Sequence, residues 1–147
     1  MPKPVKSAVE IAARALARRD RSESDLTRIL IAKGVPEAEA SAAVDTLRRV
    51  GVVDDGRFVR ATAEALAARG FGDAAIIVRL QREGIPTDAV HDAVSQLQPE
   101  FERAAALAAA RPAGGRTARW LAARGFSADS VEQVLTSVAE TDAAELG

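Results

Sequence analysis

The chain has 147 residues, of which 48% are hydrophobic and 28% charged, and this balance excludes a disordered tail. It has no cysteine, which excludes a disulfide framework and a cysteine-based metal site. It also has no run of about 18 apolar residues, so we expect a soluble, cytoplasmic protein without a membrane span. The net charge of −1 gives no hint of a nucleic-acid partner by itself.

A short cassette that contains a glycine followed by an apolar residue occurs three times. The copies are Leu30–Pro36, Leu80–Pro86 and Leu121–Ser127. Their glycines, Gly34, Gly84 and Gly125, are 50 and 41 residues apart. A period in this range is typical of repeat proteins, which present long surfaces to their partners. The repeat therefore favours a binding protein.

Apolar residues at helical spacing predict nine helices in three groups. The first group covers roughly 8–19, 23–33 and 37–50. In the second, a long helix starts near Phe58 and ends at Gly70, and stripes at Ile76–Leu80 and Val90–Leu97 follow. The third contains Phe101–Ala108, Trp120–Leu121 and Val131–Val138. We expect an all-α, elongated array of three tandem three-helix repeats over 8–53, 54–98 and 99–140, with tails at 1–7 and 141–147.

Residues typical of helix starts and helix ends support these helices. The three cassette glycines fit helix ends in the left-handed conformation, with the apolar residue that a Schellman motif needs after them. Ser127 is a plausible N-cap, and Ser22 with Asp25 resembles a capping box.

Residues with catalytic or metal-binding potential are few. The Asp54–Asp55 pair fits a helix N-cap better than an acid/base pair. His91 is the only histidine, which is a poor basis for a metal site. No phosphate-binding loop or nucleophile elbow is found. We therefore predict a protein that is not an enzyme, with no catalytic residue, metal or cofactor.

Basic residues concentrate on the first and second helices of each group, and acidic residues on the third. Stacked in register, the groups would join their basic sides into one strip that attracts phosphates or an acidic protein surface. Any single surface arginine is more often merely solvated. Trp120 fits core filling better than base stacking. The candidate binding residues are Arg28, Lys33, Arg57, Arg60, Arg69, Arg79, Arg82, Arg119 and Arg124.

The segment Gly51-Val52-Val53-Asp54-Asp55-Gly56-Arg57-Phe58 resembles the G-[LI]-[LIV]-[DN]-D-x-[RK]-[FY] segment of the RecX family, regulators of the RecA recombinase. Upstream, Ala15–Arg19 followed by Ser24, Leu26 and Leu30 resembles the family's opening. Downstream, Arg69, Ile76 and Ile85 follow its pattern. The resemblance covers about residues 8–139. The positions that carry it, expected to be mainly structural, are Gly51, Asp54, Asp55, Phe58, Gly72, Leu80 and Gly84.

The resemblance implies three tandem three-helix repeats, in agreement with the helix count above. It also implies a regulator of recombination, DNA repair and the SOS response that binds RecA filaments on single-stranded DNA. Binding would inhibit ATP hydrolysis, strand exchange and stimulated repressor cleavage. The partners implied are the RecA filament and, weakly, single-stranded DNA, with the protein itself a monomer.

Two other functions remain open. Leu121–Phe126 also looks like the Gly-Phe loop of ubiquitin-associated domains, which favours a peptide-binding adaptor with an exposed apolar patch. Three-helix units also suggest a helix-turn-helix DNA-binding protein, although an acidic third helix would repel phosphates.

Overall fold

The structure, a computed structural model, describes residues 7–146, and all regular secondary structure within them is α-helical. The prediction of an all-α fold with nine helices is confirmed for this part of the chain. The helices are α1 Ala8–Arg18, α2 Glu23–Ala32, α3 Glu37–Arg49, α4 Asp55–Ala68, α5 Asp73–Arg82, α6 Thr87–Ser95, α7 Glu100–Ala109, α8 Gly115–Ala123 and α9 Ala128–Leu146.

The two predicted tails have different outcomes. Residues 1–6 lie outside the described residues, and Ser7 is the N-cap of α1. The tail predicted from 141 onward is wrong, because α9 continues to Leu146. The reason is local: Ala143, Ala144 and Glu145 are strong helix formers, and the next glycine is Gly147. The boundaries drawn between the repeats stay predictions.

The side-chain N-caps that the sequence predicted are present. The Ser22 hydroxyl accepts a hydrogen bond from the Asp25 amide, and the Asp54 carboxylate accepts one from the Arg57 amide. Ser127 caps α9 through the Ser130 amide at 3.1 Å. The Arg57 amide also lowers the pKa of Asp54. Of the two aspartates, therefore, Asp54 is a cap, whereas Asp55 makes a different contact.

Helices end in the predicted left-handed glycines. Gly34 has a φ of +89°, and the amide of Val35 donates to the Leu30 carbonyl at 3.0 Å, which closes a Schellman motif. Gly84 and Gly125 adopt φ values of +77° and +94°. Gly70, which the repeat pattern did not single out, ends α4 in the same way.

The helices form three small bundles, each with its own core. Within the described residues, every larger helix–helix contact joins two helices of the same group of three. The first core includes Leu26, Leu30 and Leu47, and the second includes Phe58, Ile76, Leu80 and Val90. The third is the smallest, with Ala104, Leu121, Phe126 and Val134 buried. Contacts between the bundles are therefore limited and specific.

Two junctions join the bundles, and both use the same contact. At the first junction the Glu23 amide, at the start of α2, donates to the Asp55 carboxylate at 2.8 Å. At the second junction the Asp73 amide, at the start of α5, donates to the Glu100 carboxylate at 2.8 Å. Each carboxylate belongs to the first residue of the next bundle's first helix. A helix N-terminus favours an anion, because its amides are unpaired and its dipole is positive there.

Glycines let the backbones approach at each junction. At the first, the Ser22 hydroxyl donates to the Glu83 carbonyl at 3.1 Å, and a Cβ on Gly84 would lie 2.5 Å from the Ser24 hydroxyl. At the second, the Gly72 amide donates to the Arg124 carbonyl at 2.8 Å. A Cβ on Gly72 would collide with the backbone of Gly125 and Phe126. At Gly72 and Gly84, therefore, an added side chain would not fit unless its neighbours shifted.

The variant Gly72→Ala should destabilise the protein by about 1–3 kcal/mol, because the added methyl group meets backbone that cannot rotate away. Gly56→Ala is the matched control. Its Cβ meets only the ends of the Asp54 and Arg60 side chains, and alanine is the better helix former. Urea unfolding followed by circular dichroism measures both. Equal stability of the two variants would contradict the close approach.

Candidate partner and nucleic-acid interface

Phe71 lies under three guanidinium groups at the second junction. The Cζ atoms of Arg79 and Arg124 are each 4.6 Å from the centroid of its ring, and that of Arg69 is 5.3 Å away. A guanidinium this close to an aromatic face is attracted by the ring quadrupole. Phe71 thereby gathers three of the predicted binding residues, which come from the end of α4, from α5 and from the end of α8.

Trp120 extends this arrangement. The Arg111 Cζ is 3.8 Å from its ring centroid, and the Arg124 Cζ is 5.1 Å away, so Arg124 serves both rings. Trp120 is half-buried and packs against the third core, as the sequence predicted. Trp120 therefore fills part of the third core and also stacks with two guanidinium groups. We call the whole set the arginine–aromatic cluster: Arg69, Phe71, Arg79, Arg111, Trp120 and Arg124.

Arg124 holds the second junction together. Its Nε donates to the Gly70 carbonyl at 2.7 Å, and its Nη2 donates to the Arg69 carbonyl. Both carbonyls belong to the end of α4, where helix carbonyls have no partner within the helix. Arg124 is half-buried as a result. Its main role in the isolated protein is therefore structural.

The remaining predicted residues lie in different surroundings. The exposed Arg28 forms an ion pair with the buried Asp25. Arg57 donates to the Gly51 and Val52 carbonyls at 3.2 and 3.1 Å, which ties it to the end of α3. Arg82 lines a groove together with Arg79. Lys33, Arg60 and Arg119 are exposed at the end of α2, on α4 and on α8. Contacts among the predicted residues thus concentrate at the second junction.

Buried charges fix the loop that carries Phe71. The Arg103 guanidinium, 8% exposed, donates to the Phe71 carbonyl at 3.0 Å and to the Gln98 carbonyl at 2.8 Å, and it pairs with Asp73. Burial raises the pKa of Asp73; attraction by Arg103 opposes this, repulsion by Glu100 adds to it, and the pKa lies above the usual range. Sequence reasoning missed Arg103, which positions the cluster from beneath.

The Glu100 carboxylate accepts several hydrogen bonds at the same junction. Besides the Asp73 amide, it accepts hydrogen bonds from the Ser127 amide at 3.0 Å and from the Ser127 and Ser130 hydroxyls at 2.7 Å. Burial raises the pKa of Glu100, but these donors outweigh it, and the pKa lies below the usual range. The carboxylate therefore stays ionised where it binds the N-termini of α5 and α9.

No group of three or more histidine, aspartate or glutamate side chains within residues 7–146 is arranged to hold a metal ion. In the same part of the chain, every helix is too short or too polar to span a bilayer.

Comparison with known proteins places the chain in a family. Residues 8–47 match the model of the first three-helix domain of RecX. Regulatory protein RecX of Leptothrix cholodnii is 38% identical over 129 residues, which cover 82% of each chain. That of Xanthomonas oryzae pv. oryzae is 34% identical over 126 residues, 79% of each chain. The chain belongs to the RecX family. The crystal structure of RecX from Lactobacillus salivarius superimposes with a TM-score of 0.79 at 16% identity, covering 88% of this chain and 93% of that one.

The second junction has a sequence signal that the repeat analysis missed. The hexapeptide Leu-Ala-Ala-Arg-Gly-Phe occurs twice, at 66–71 and at 121–126. Each copy ends a helix with the same hydrogen bond. The amides of Phe71 and Phe126 each donate at 3.2 Å to the carbonyl of the leucine five residues earlier. The copies meet at the junction, where Arg124 of one caps the carbonyls of the other. Aligning the chain only on its 50- and 41-residue spacing hides the pair, because the copies end different helices of their bundles.

We expect Arg124→Ala to lower stability by about 1–3 kcal/mol, since it leaves the carbonyl of the buried Gly70 without its partner. Arg119→Ala removes an exposed arginine from α8, the helix that Arg124 follows, and should change stability by less than about 0.5 kcal/mol. Thermal unfolding of both variants tests this. Similar losses of stability in the two variants would show that Arg124 does not stabilise the junction.

Asp25 generates a prediction about pH. Burial raises its pKa, but hydrogen bonds from Arg28 and Arg21 outweigh this, so the pKa is lower in the folded protein than the ordinary value of 3.8. Its contribution to stability is therefore complete above pH 3.8 and is lost as the pH falls through the lowered folded pKa. Wild type should exceed Asp25→Asn by about 1.5–3 kcal/mol at pH 7 and pH 5, and by much less near pH 2. Urea unfolding at the three pH values measures the gap, and a constant gap would contradict it.

Proposed function

We propose that this protein is a non-enzymatic regulator that binds RecA filaments on single-stranded DNA and inhibits their ATP hydrolysis, strand exchange and stimulated repressor cleavage. Its relatives are named regulatory protein RecX, which supports regulation rather than catalysis. The observation that carries the proposal is the arginine–aromatic cluster, which gathers four guanidinium groups onto two adjacent rings across the second junction.

The cluster suits a binding surface for physical reasons. A guanidinium that stacks on a ring keeps its charge and its in-plane donors, which fit carboxylates and phosphates. Stacking also restricts the side chain before the partner arrives, so less entropy is lost on binding. Arg79, a member of the cluster, and Arg82, which lines the same groove, are both exposed, and we assign them the partner contacts.

The net charge of −1 supports a protein surface as the main partner, with only weak binding of free single-stranded DNA. We also propose that the protein works as a monomer in the cytoplasm.

The alternative functions have less support. A peptide-binding adaptor of the ubiquitin-associated type would need the Gly125–Phe126 loop exposed, but Phe126 is buried in the third core. Gly125 faces Ala75 so closely that a Cβ on it would lie 2.6 Å from the Ala75 Cβ. For helix-turn-helix binding, the third helices α3 and α9 begin with acidic first turns, which would repel phosphates.

The test is a RecA ATPase assay on single-stranded DNA. Substoichiometric amounts of the protein should lower the steady-state rate of hydrolysis. Hydrolysis that stays unchanged at equimolar protein would contradict the proposed function.

Reversing both groove arginines, Arg79→Glu with Arg82→Glu, should raise the concentration needed for half inhibition at least tenfold, because two attractive contacts become repulsive. Arg49→Glu is the matched control, since Arg49 is also an exposed arginine in the last turn of its helix. Far-ultraviolet circular dichroism checks that each variant keeps its helices. Full inhibition by the double variant would place the partner contact elsewhere.

A further inference from the structure

An open groove runs along the second junction beside the cluster. We call it the α5–α8 groove, because its floor consists of Ala74, Ala75 and Val78 of α5 and of Ala122 and Ala123 of α8. Arg79 and Arg82 line the same groove. Val78 is 45% exposed, although it is a large apolar side chain in the middle of a helix. The groove thus combines an apolar floor with two arginine side chains.

The first junction lacks this apolar floor. Its corresponding positions follow from the 50- and 41-residue spacing of the repeat glycines. They are Ser24 for Ala74, Arg28 for Val78, Gln81 for Ala122 and Arg82 for Ala123. The same architecture therefore carries polar side chains at one junction and small apolar ones at the other. The apolar floor belongs to the second junction specifically and is no by-product of the repeat.

The chemistry of the groove favours a protein helix over nucleic acid. Bases stack on free aromatic faces, but Phe71 already lies under three guanidiniums and Trp120 under two. An extended peptide that binds by strand pairing would need free backbone donors at the junction. The amides of Gly72 and Ala74 already donate to the Arg124 and Gly125 carbonyls at 2.8 and 3.2 Å. A helix satisfies its own backbone, and alanines let it approach closely.

We propose that the α5–α8 groove binds an amphipathic α-helix of the protein partner. Apolar side chains on one face of that helix pack on Val78 and the alanine floor. Aspartate or glutamate side chains at its flanks pair with Arg79 and Arg82, since opposite charge on an apolar floor selects such a segment. The inference rests on the proposed function and names the class of partner segment at the same site.

Val78→Asp tests the floor without changing the arginines. A carboxylate there would repel the acidic helix and remove apolar contact, so affinity for RecA filaments on a dT oligonucleotide should fall at least tenfold. Affinity for the free, labelled oligonucleotide should stay within twofold of wild type. Val9→Asp, which replaces a valine 38% exposed on α1, is the control and should bind filaments normally.

The outcomes separate the two proposals. Wild-type protein that neither binds nor inhibits filaments would overturn both the function and the groove. Inhibition by wild type with equal filament binding by Val78→Asp would overturn the groove alone. So would Arg79→Glu with Arg82→Glu weakening filament binding and free oligonucleotide binding by equal factors, because the groove would then hold nucleic acid.

A crosslinking experiment identifies the occupant directly. The chain has no cysteine, so Val78→Cys gives one position for a benzophenone maleimide. Irradiation with RecA filaments on the dT oligonucleotide should join it to a RecA peptide that contains aspartate or glutamate within a helix. Crosslinks to the oligonucleotide, or to a RecA segment without carboxylates, would overturn the inference. Val9→Cys, labelled in the same way, should give neither product.

Discussion

The arrangement of the three bundles depends on one repeated interaction, a carboxylate bound to the first backbone amide of a helix in the preceding bundle. Asp55 and Glu100 make this contact at the two junctions with equal distances of 2.8 Å. The larger helix contacts stay within each bundle, so these polar contacts and the nearby loop bonds set the relative orientation. A hydrogen bond to a helix N-terminus is directional, whereas apolar packing is not, which suits a long array with small cores.

The second junction adds a layer that the first one lacks. Its polar centre is Glu100 with Arg103 and Asp73 beneath the Phe71 loop, and its surface is the arginine–aromatic cluster. Because Arg103 donates to the Phe71 carbonyl and Arg124 caps the end of α4, the loop that presents the Phe71 ring is fixed on both sides. The exposed arginines then rest on a surface whose position the junction determines. The proposed binding surface and the joining of the bundles are therefore parts of one structure.

The sequence predicts those structural features that are determined by residues close together in the chain. Nine helices, the caps at Ser22, Asp54 and Ser127 and the cassette glycines follow from neighbours in the chain, and all were predicted. The C-terminal end of α9 was misjudged, because composition alone does not separate a polar tail from a helix rich in alanine and glutamate. The meeting of Arg69, Arg79 and Arg124 over Phe71 joins residues up to 55 positions apart, and periodicity gives no information on such contacts.

The duplicated hexapeptide shows why the second junction differs from the first. Its copies end helices at different places in their bundles, so only across bundles two and three do two identical helix ends meet. One copy contributes Phe71, half-buried and available to guanidiniums, while the other contributes Phe126, buried in the third core. The same six residues thus supply a half-buried ring in one copy and a core ring in the other.

The first junction has an arginine where the second has Phe71. Arg21 occupies that position, and its guanidinium donates to the carboxylate of the buried Asp25 at 3.0 Å. The arginines there pair with a carboxylate and not with a ring, so the arginine–aromatic cluster forms at the second junction, where the hexapeptides meet.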